Sequence, residues 1–142
     1  MIEFLKHLSS AKKSIDLCVF LFTQSTLADA LSDLHKANVA IRIITDSTED
    51  EASSSKMGAL RRAGVRLKSN KRGTGALMHH KFVIVDGKKL LTGSFNWTSK
   101  AVVSNHEAVI ITTEPSLVKP FQDQFERMWD EFPDHPIRQS YA

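Results

Sequence analysis

Cysteine is nearly absent from this sequence, and its scarcity excludes two kinds of stabilising element. The chain has a single cysteine, Cys18, so it forms no internal disulfide and no zinc site of the multi-cysteine kind. Cys18 lies in the apolar run 17–22 (LCVFLF), where we expect a buried and unreactive thiol. The fold must therefore rely on its hydrophobic core.

Long hydrophobic runs are also missing, and the excess of positive charge is small. The longest apolar stretch, again 17–22, is far shorter than the ~20 residues that cross a bilayer, and the start of the chain shows no signal peptide. We therefore expect these 142 residues to be soluble. The formal charge of +3 permits the binding of polyanions without requiring it.

The residues that are present describe one globular domain. The chain has 142 residues, of which 42% are hydrophobic and 25% charged, and this is enough for a single domain with a real core. We place that domain at 1–142, with an N-terminal helix within 1–13 and an irregular tail at 133–142.

Hydrophobic periodicity predicts alternating helices and strands in the first half of the chain. Gly64 is the expected stop of the third helix. Because helices alternate with apolar strands, we expect βαβ units and a largely parallel sheet. The predicted helices are 2–11, 23–38 and 49–64, and the predicted strands are 14–22, 40–45 and 65–69.

The second half contains a β-hairpin and a long amphipathic helix. Strands 81–85 and 89–92 flank the turn residues Asp86 and Gly87, a pattern typical of hairpins. We expect a short helix or turn at 98–105, a buried strand at 108–112, and a helix at 115–132 that packs its aromatic stripe on the sheet. The predicted fold class is α/β, with a mixed, mostly parallel β-sheet flanked by helices on both faces.

The stretch 78–97 (MHHKFVIVDGKKLLTGSFNW) carries the side chains with catalytic chemistry. An imidazole such as that of His79 serves as nucleophile or general acid near neutral pH. Lys81 supplies charge, and Ser94 and Asn96 supply directional hydrogen bonds. Strand alternation puts His79 and Lys81 on one face, where both can bind one anion, and His80 on the other, where a structural role is simpler. Cleavage of a phosphodiester requires such a set.

Neighbouring residues receive supporting roles. Asp86 is expected to accept backbone N–H groups at the hairpin turn, a structural role, and Gly93 to permit close approach of the backbone to the phosphate. Glu107 is expected to orient the ring of His79, as the third member of a triad does. Trp97 is either a core anchor or a stacking surface for a base, and we predict core packing.

The loop 70–75 (NKRGTG) lies directly before the histidine strand. A solvated turn is the usual interpretation of such a composition. Its position equally allows Lys68, Lys71 and Arg72 to bind an extended anionic substrate. Both interpretations remain open at this point.

The spacing of the motif is similar to a known signature. H-x-K, four residues, D, six residues and G-S-x-N match the signature of the phospholipase D superfamily, at His79, Lys81, Asp86, Gly93, Ser94 and Asn96. Within that superfamily, the segments 18–22, 41–46, 78–86, 91–98 and 125–132 resemble the single-motif MitoPLD or Zucchini family, and the resemblance extends from about Ser14 to Phe132. It implies the phospholipase D/nuclease fold and a catalytic set of His79, Lys81 and Asn96.

The resemblance also implies a mechanism and an assembly. Superfamily enzymes bring two motifs to one site, where one histidine attacks phosphorus and the other protonates the leaving oxygen. This chain has one motif, so we expect a homodimer that brings both copies of His79 together, without a metal or other cofactor. The family further implies the mitochondrial outer membrane, facing the cytosol, with a membrane anchor and a zinc element that these residues do not include.

Three functions remain open. The basic residues and the lack of a long apolar surface loop favour metal-independent cleavage of single-stranded RNA, as in piRNA biogenesis, with 5′-phosphate products. The first alternative is hydrolysis of cardiolipin to phosphatidic acid. The second is a scaffold that binds RNA or phospholipid headgroups without catalysis, although the intact signature argues against it.

Overall fold

The structure is a computed structural model that describes residues 1–49 and 55–134. These residues form five helices and six strands, which alternate except that the third, fourth and fifth strands follow one another without a helix between them. In chain order they are α1 (Ile2–Ser9), β1 (Ser14–Val19), α2 (Ser25–Lys36), β2 (Ala40–Thr45), α3 (Met57–Arg62), β3 (Arg66–Ser69), β4 (Lys81–Val85), β5 (Lys89–Gly93), α4 (Ser99–Val103), β6 (Val109–Thr112) and α5 (Pro115–Glu131).

The six strands form one mixed sheet in the order β3-β2-β1-β4-β5-β6. The pairs β1·β2 and β2·β3 are parallel, as βαβ units require, whereas β1·β4, β4·β5 and β5·β6 are antiparallel. The predicted mixed sheet flanked by helices is confirmed, although antiparallel pairs are more numerous than parallel ones. Strand β4 of the hairpin pairs with β1 in the antiparallel direction. Antiparallel pairing then continues through β5 to β6, and for this reason parallel pairs are in the minority.

Helices cover both faces of this sheet. One face packs against α1, α2 and α3 through a core that includes Leu8, Leu31 and Leu60. The other face packs against α5 through Phe125 and Trp129. Because side chains alternate along a strand, β1 contributes to both cores and is buried from 15 to 19, as predicted. Cys18 is buried as expected, and burial raises the pKa of its thiol.

A cluster of three charged residues lies between the sheet and α5. Arg42 on β2 donates to the carboxylates of Asp16 on β1, at 2.8 Å, and of Glu126 on α5, at 2.6 Å. Its guanidinium also lies 4.9 Å from the centre of the Phe125 ring. Hydrogen bonding and charge from Arg42 outweigh desolvation and lower the pKa of the Glu126 carboxyl. These contacts fix α5 against the two strands that lead to the candidate site.

The strand prediction was wrong about the burial of β6. Val109, Ile110 and Ile111 are 37%, 63% and 38% exposed, because β6 is the last strand at the sheet edge. An apolar run has the same pattern in a central strand and in an edge strand. Burial therefore depended on the order of strands, which the run itself does not encode.

The helix predictions hold with shifted limits. The predicted helix 49–64 corresponds to α3, which begins only at Met57, and the interval 50–54 lies outside the described residues. Gly64 ends this region with φ 97°, as expected for a C-terminal stop. Of the predicted tail, 135–142 also lies outside the described residues. No helix within the described ranges is long and apolar enough to span a bilayer.

Asp86 joins the hairpin turn to the α1–β1 connection. It has φ 54° and is followed by Gly87 with φ 66°, the left-handed pair that a tight hairpin turn requires. Its carboxylate accepts backbone N–H groups from Lys12, Lys13 and Ser14, at 3.1, 2.7 and 3.0 Å. Burial opposes ionisation, but these hydrogen bonds prevail and lower the pKa of Asp86. The role is structural, as predicted, but the N–H groups belong to the α1–β1 connection and not to the hairpin turn, where we expected them.

We expect Asp86→Asn to reduce the free energy of unfolding by about 1–2 kcal/mol at pH 7, because neutral hydrogen bonds replace charge-assisted ones. Since the pKa is lowered on folding, this contribution is present above the unfolded value of about 3.9 and is lost as pH falls through the folded value. In urea unfolding, the free energies of unfolding of the parent protein and of Asp86→Asn should therefore converge below about pH 4. Asp130→Asn, on the exposed surface of α5, is the control. If the parent protein and Asp86→Asn still differed by the full amount in free energy of unfolding at pH 3, the stabilising role of the ionised Asp86 carboxylate would be contradicted.

Candidate active site

The pairing of β1 with β4 positions the histidine and lysine of the motif. Val19 pairs with Lys81, and Phe20 N–H donates to the His80 carbonyl at 3.1 Å. This register brings the His79 ring to 4.7 Å from the Phe20 ring, measured between centroids. The Lys81 ammonium lies 5.6 Å from the Phe20 centroid. Sequence reasoning treated Phe20 only as part of an apolar strand, because its position in the pairing was unknown.

His79 and Lys81 lie side by side. Lys81 Nζ is 3.4 Å from His79 Nδ1 and donates to the His79 carbonyl at 3.1 Å. His79 is exposed, and Lys81 is partly buried. Burial lowers the pKa of Lys81, while the charge of Glu107 acts in the opposite direction. The two side chains share one face, as strand alternation predicted, and can approach the same anion.

His80 points to the other side of the strand. Its ring is 5.5 Å from that of Phe82, a residue of the core beneath α5, and its Nε2 is 3.5 Å from Nε2 of Gln124. Burial, followed by the charges of Lys81 and His79, lowers the pKa of His80. This placement agrees with the structural role predicted for it.

Asp46 anchors the backbone directly before His79. It follows β2, is 0% exposed, and accepts the Met78 N–H at 2.8 Å and the Thr48 N–H at 3.0 Å. Burial opposes ionisation of Asp46, but hydrogen bonds from Thr48 and Met78 lower its pKa. From the sequence alone we assigned no role to Asp46, which follows the predicted strand 40–45. A carboxylate at the end of a buried strand, where it needs partners, was the signal that could have identified it.

Glu107 contacts Ser94 and not His79. The Ser94 hydroxyl donates to the Glu107 carboxylate, and Asn105 Nδ2 donates to the same group at 3.2 Å. Ser94 also accepts the Ala108 N–H at 3.2 Å. We expected Glu107 to orient His79, but within one chain its carboxylate is held on the G-S-x-N segment. The reason is that β6 begins beside the end of β5 and brings Glu107 to Ser94.

Asn96 presents an unsatisfied polar atom. Its Oδ1 is buried and has no hydrogen-bond partner in the described part of the chain. Leaving such an atom without a partner costs about 1–3 kcal/mol, and native proteins tolerate this cost mainly at functional positions. An amide oxygen only accepts hydrogen bonds, so this atom cannot bind a phosphate oxygen, and any contact of Asn96 with a phosphate must use its Nδ2 donor.

Gly93 is required by the neighbouring strand. A Cβ built on it would lie 1.9 Å from the Ala108 carbonyl oxygen and 2.9 Å from the Val109 Cα. We expected the glycine to admit a phosphate, whereas the space beside it is occupied by the backbone of β6. The cause is the close β5·β6 pairing, in which Gly93 is opposite Val109.

The three cations proposed for substrate binding lie in different environments. Lys68 Nζ donates to the Trp129 carbonyl at 2.6 Å, and its side chain is only 12% exposed. Arg72 donates to the Ser47 carbonyl at 2.9 Å, which ties the loop to the segment after β2. Lys71 is exposed. Lys71 and Arg72 therefore remain candidates for substrate binding, whereas the Lys68 ammonium is held against α5.

Two further expectations concern Trp97 and metal binding. Trp97 is 2% exposed and meets the rings of Phe4 and Phe22 edge-on, at centroid distances of 5.5 and 4.9 Å, which confirms the predicted core packing. Within 1–49 and 55–134, no group of three or more His, Cys, Asp or Glu side chains could hold a metal ion. Metal-independent chemistry stays a prediction.

Comparisons with known proteins agree with this geometry. A family model described as "Cardiolipin synthase, PLD-like domain" matches residues 4–129. Proteins named mitochondrial cardiolipin hydrolase are 43% identical in Chlamydomonas reinhardtii, over 92% of this chain and 57% of that protein, and 45% identical in Danio rerio, over 89% and 55%. The chain thus spans little more than half the length of these relatives.

A solved structure has the same fold. Nuc from Salmonella typhimurium, described as a phospholipase D family member, superposes with a TM-score of 0.85 at 29% sequence identity. The match covers 94% of this chain and 89% of that one. The arrangement of sheet and helices described above is therefore that of a solved phospholipase D family structure.

We expect Gly93→Ala to lower the free energy of unfolding by at least about 2 kcal/mol, because two backbone segments must separate. Gly58→Ala is the matched control. Its added Cβ would meet only the flexible end of Arg62, at 3.4 Å, and alanine within a helix stabilises by about 0.5–1 kcal/mol relative to glycine. Thermal unfolding of both variants tests the contrast. Equal melting temperatures would contradict the close approach of β6.

Proposed function

Because the chain belongs to the family described as cardiolipin synthase, PLD-like domain, we propose that it is a phosphodiesterase whose nucleophile is His79. The observation that carries this proposal is the pair formed by exposed His79 and partly buried Lys81, with Lys81 Nζ 3.4 Å from His79 Nδ1. A nucleophile beside a fixed cation is what attack on an anionic phosphodiester requires.

The reaction proceeds in two steps. A ring nitrogen of His79 attacks phosphorus, an N–P bond forms, the P–O bond to the leaving alkoxide breaks, and a proton donor neutralises that alkoxide. Water then attacks phosphorus and loses a proton to the same group, and the N–P bond breaks. Lys81 stabilises the charge on the non-bridging oxygens, and Asn96 offers its amide to the phosphate.

A second copy of the chain supplies the proton donor. One chain contains one copy of the motif, and His80 lies on the opposite side of the strand, beside Phe82. A two-fold axis would bring the same surface of both subunits together, so that His79 of one subunit attacks and the partner's His79 protonates the leaving oxygen. The site is therefore composite, and the functional unit is a homodimer.

The substrate we propose is a phospholipid of the cardiolipin type, cleaved to phosphatidic acid. The names of the relatives, mitochondrial cardiolipin hydrolase, support this choice. They also support action at mitochondria, and we propose the cytosolic side of the outer membrane as the place. From the sequence alone we expected single-stranded RNA to be the substrate. The names of the relatives support a phospholipid substrate better.

Cleavage of single-stranded RNA is the second candidate. Exposed Lys71 in the loop before the histidine strand and the formal charge of +3 favour it, because a basic surface attracts polyanions. A scaffold without catalysis is the third candidate. The complete signature and the close pair His79–Lys81 argue for catalysis instead.

The first test compares His79→Ala with His7→Ala, an exposed histidine on α1. Cardiolipin in liposomes and single-stranded RNA are incubated with each protein in excess chelator. We expect His79→Ala to lower cleavage more than about a thousandfold, because the nucleophile is gone, and His7→Ala to match the parent protein. Activity that requires added metal, or that survives in His79→Ala, would contradict the mechanism. RNA cleavage without liposome turnover would reverse the choice of substrate.

The second test traps the covalent intermediate. Quenching the reaction under alkaline conditions, where phosphoramidates survive, should give a peptide with the phosphatidyl group of the substrate bonded through phosphorus to His79, identified by its added mass in tandem mass spectrometry. With RNA as substrate, hydrolysis of that intermediate leaves a 5′-phosphate on the downstream fragment. A 2′,3′-cyclic phosphate on the upstream fragment would indicate attack by the ribose hydroxyl and exclude this route.

The third test mixes subunits. If one site uses both copies of His79, a tenfold excess of His79→Ala subunits should lower the activity of each parent subunit, because most parent subunits then occupy mixed dimers. An equal excess of His7→Ala, itself active, should not. Activity that depends only on the amount of parent chain would show that each subunit works alone.

A further inference from the structure

An open pocket of about 480 Å³ adjoins the proposed nucleophile. Its lining includes Leu77, Met78 and His79, which precede β4, and Met128 and Phe132, at the end of α5. Its volume falls within the range of about 300–1,000 Å³ found for small-molecule sites. The mechanism proposed above uses only His79 among these residues.

Four of the eight described residues that line the pocket are apolar, namely Leu77, Met78, Met128 and Phe132. Leu77 is 56% exposed although it lies only two residues before His79. Met78 and Met128 are 3% and 6% exposed and belong to the core beneath α5. Methionine adapts its shape to an irregular apolar neighbour, and Leu77 adds accessible apolar surface beside His79.

The charges around the pocket disfavour a polyanion. No lysine or arginine occurs among the described residues that line it, whereas Glu131 contributes a carboxylate. His80 also lines the pocket, and burial lowers its pKa. A nucleic acid strand would bring further phosphates towards Glu131 and be repelled. The glycerol and acyl parts of a phospholipid carry no charge.

We propose that this pocket receives the acyl chain nearest the scissile phosphate of a phospholipid, and that Leu77 and Phe132 determine the preference for lipid esters. This inference rests on the proposed function, because it presumes that the phosphate lies at His79. An unpaired nucleobase packed on Phe132 is the competing occupant, and the experiment below separates the two.

The experiment uses Leu77→Gln and the matched control Leu117→Gln, a leucine of α5 that is 51% exposed and does not line the pocket. Each protein is assayed with three substrates, namely cardiolipin in phosphatidylcholine vesicles, single-stranded RNA, and bis(p-nitrophenyl) phosphate, a soluble diester without acyl chains. Thermal unfolding verifies that both variants fold.

We expect Leu77→Gln to lower kcat/KM on the vesicles by about tenfold or more, chiefly through KM, since the variant loses an apolar contact with the substrate. Its activity on the soluble diester should equal that of the parent protein, and Leu117→Gln should leave both activities unchanged. The proposal would be overturned if Leu77→Gln and Leu117→Gln lost the same fraction of kcat/KM on vesicles. It would also be overturned if Leu77→Gln lost as much kcat/KM on the soluble diester as on vesicles. A loss confined to RNA would assign the pocket to a nucleobase.

A binding measurement keeps the inference testable if the catalytic proposal fails. Dihexanoyl phosphatidic acid, used below its micellar concentration, is titrated into His79→Ala and into the double variant that also carries Leu77→Gln. We expect the second substitution to raise Kd about tenfold, and no difference would refute the pocket. Failure of the phosphodiesterase itself would appear separately, as a soluble diester that the parent protein does not cleave.

Discussion

The antiparallel pairing of β1 with β4 is the constraint on which the candidate site depends. It joins the parallel half of the sheet to the antiparallel half, and ligand sites in α/β sheets lie where the strand direction or order changes. Because Val19 is opposite Lys81, the start of β4 lies beside the end of β1. Phe20 then contacts His79 and Lys81. A shift of one residue would turn both motif side chains to the α5 face.

Polar contacts around this pairing hold the site in one arrangement. Asp46 binds the backbone of Met78 immediately before His79, and Ser94 is tied to Glu107 and Ala108. In contrast, Asn96 keeps a buried oxygen without a partner in the described residues, and burial lowers the pKa of Lys81. The backbone around the motif is thus fixed by hydrogen bonds, and Lys81 is held beside His79, as a preorganised site requires.

Much of this arrangement could be predicted from sequence, because the hydrophobic periodicity and the spacing of the motif residues depend only on residues close together in the chain. The strand alternation that put His79 and Lys81 together, and His80 opposite, needs only a period of two. The partners of Glu107, the space beside Gly93 and the exposure of β6 could not be predicted, because all three depend on which strand lies beside β5. The Lys68 contact with Trp129 could not be predicted either, because the position of α5 on the sheet was unknown. The pocket at Leu77 depends on the positions of both α5 and the start of β4.

The central claim is that two imidazoles, one from each subunit, act on one phosphorus atom. A crystal structure of the protein with orthovanadate, which adopts the trigonal-bipyramidal geometry of phosphoryl transfer, tests it most directly. We expect one vanadium per dimer, close to the two-fold axis and bonded to a ring nitrogen of one His79, with the partner subunit's His79 within hydrogen-bond distance of an apical oxygen. Two vanadate ions, each bound by one His79 in a separate pocket, would contradict it.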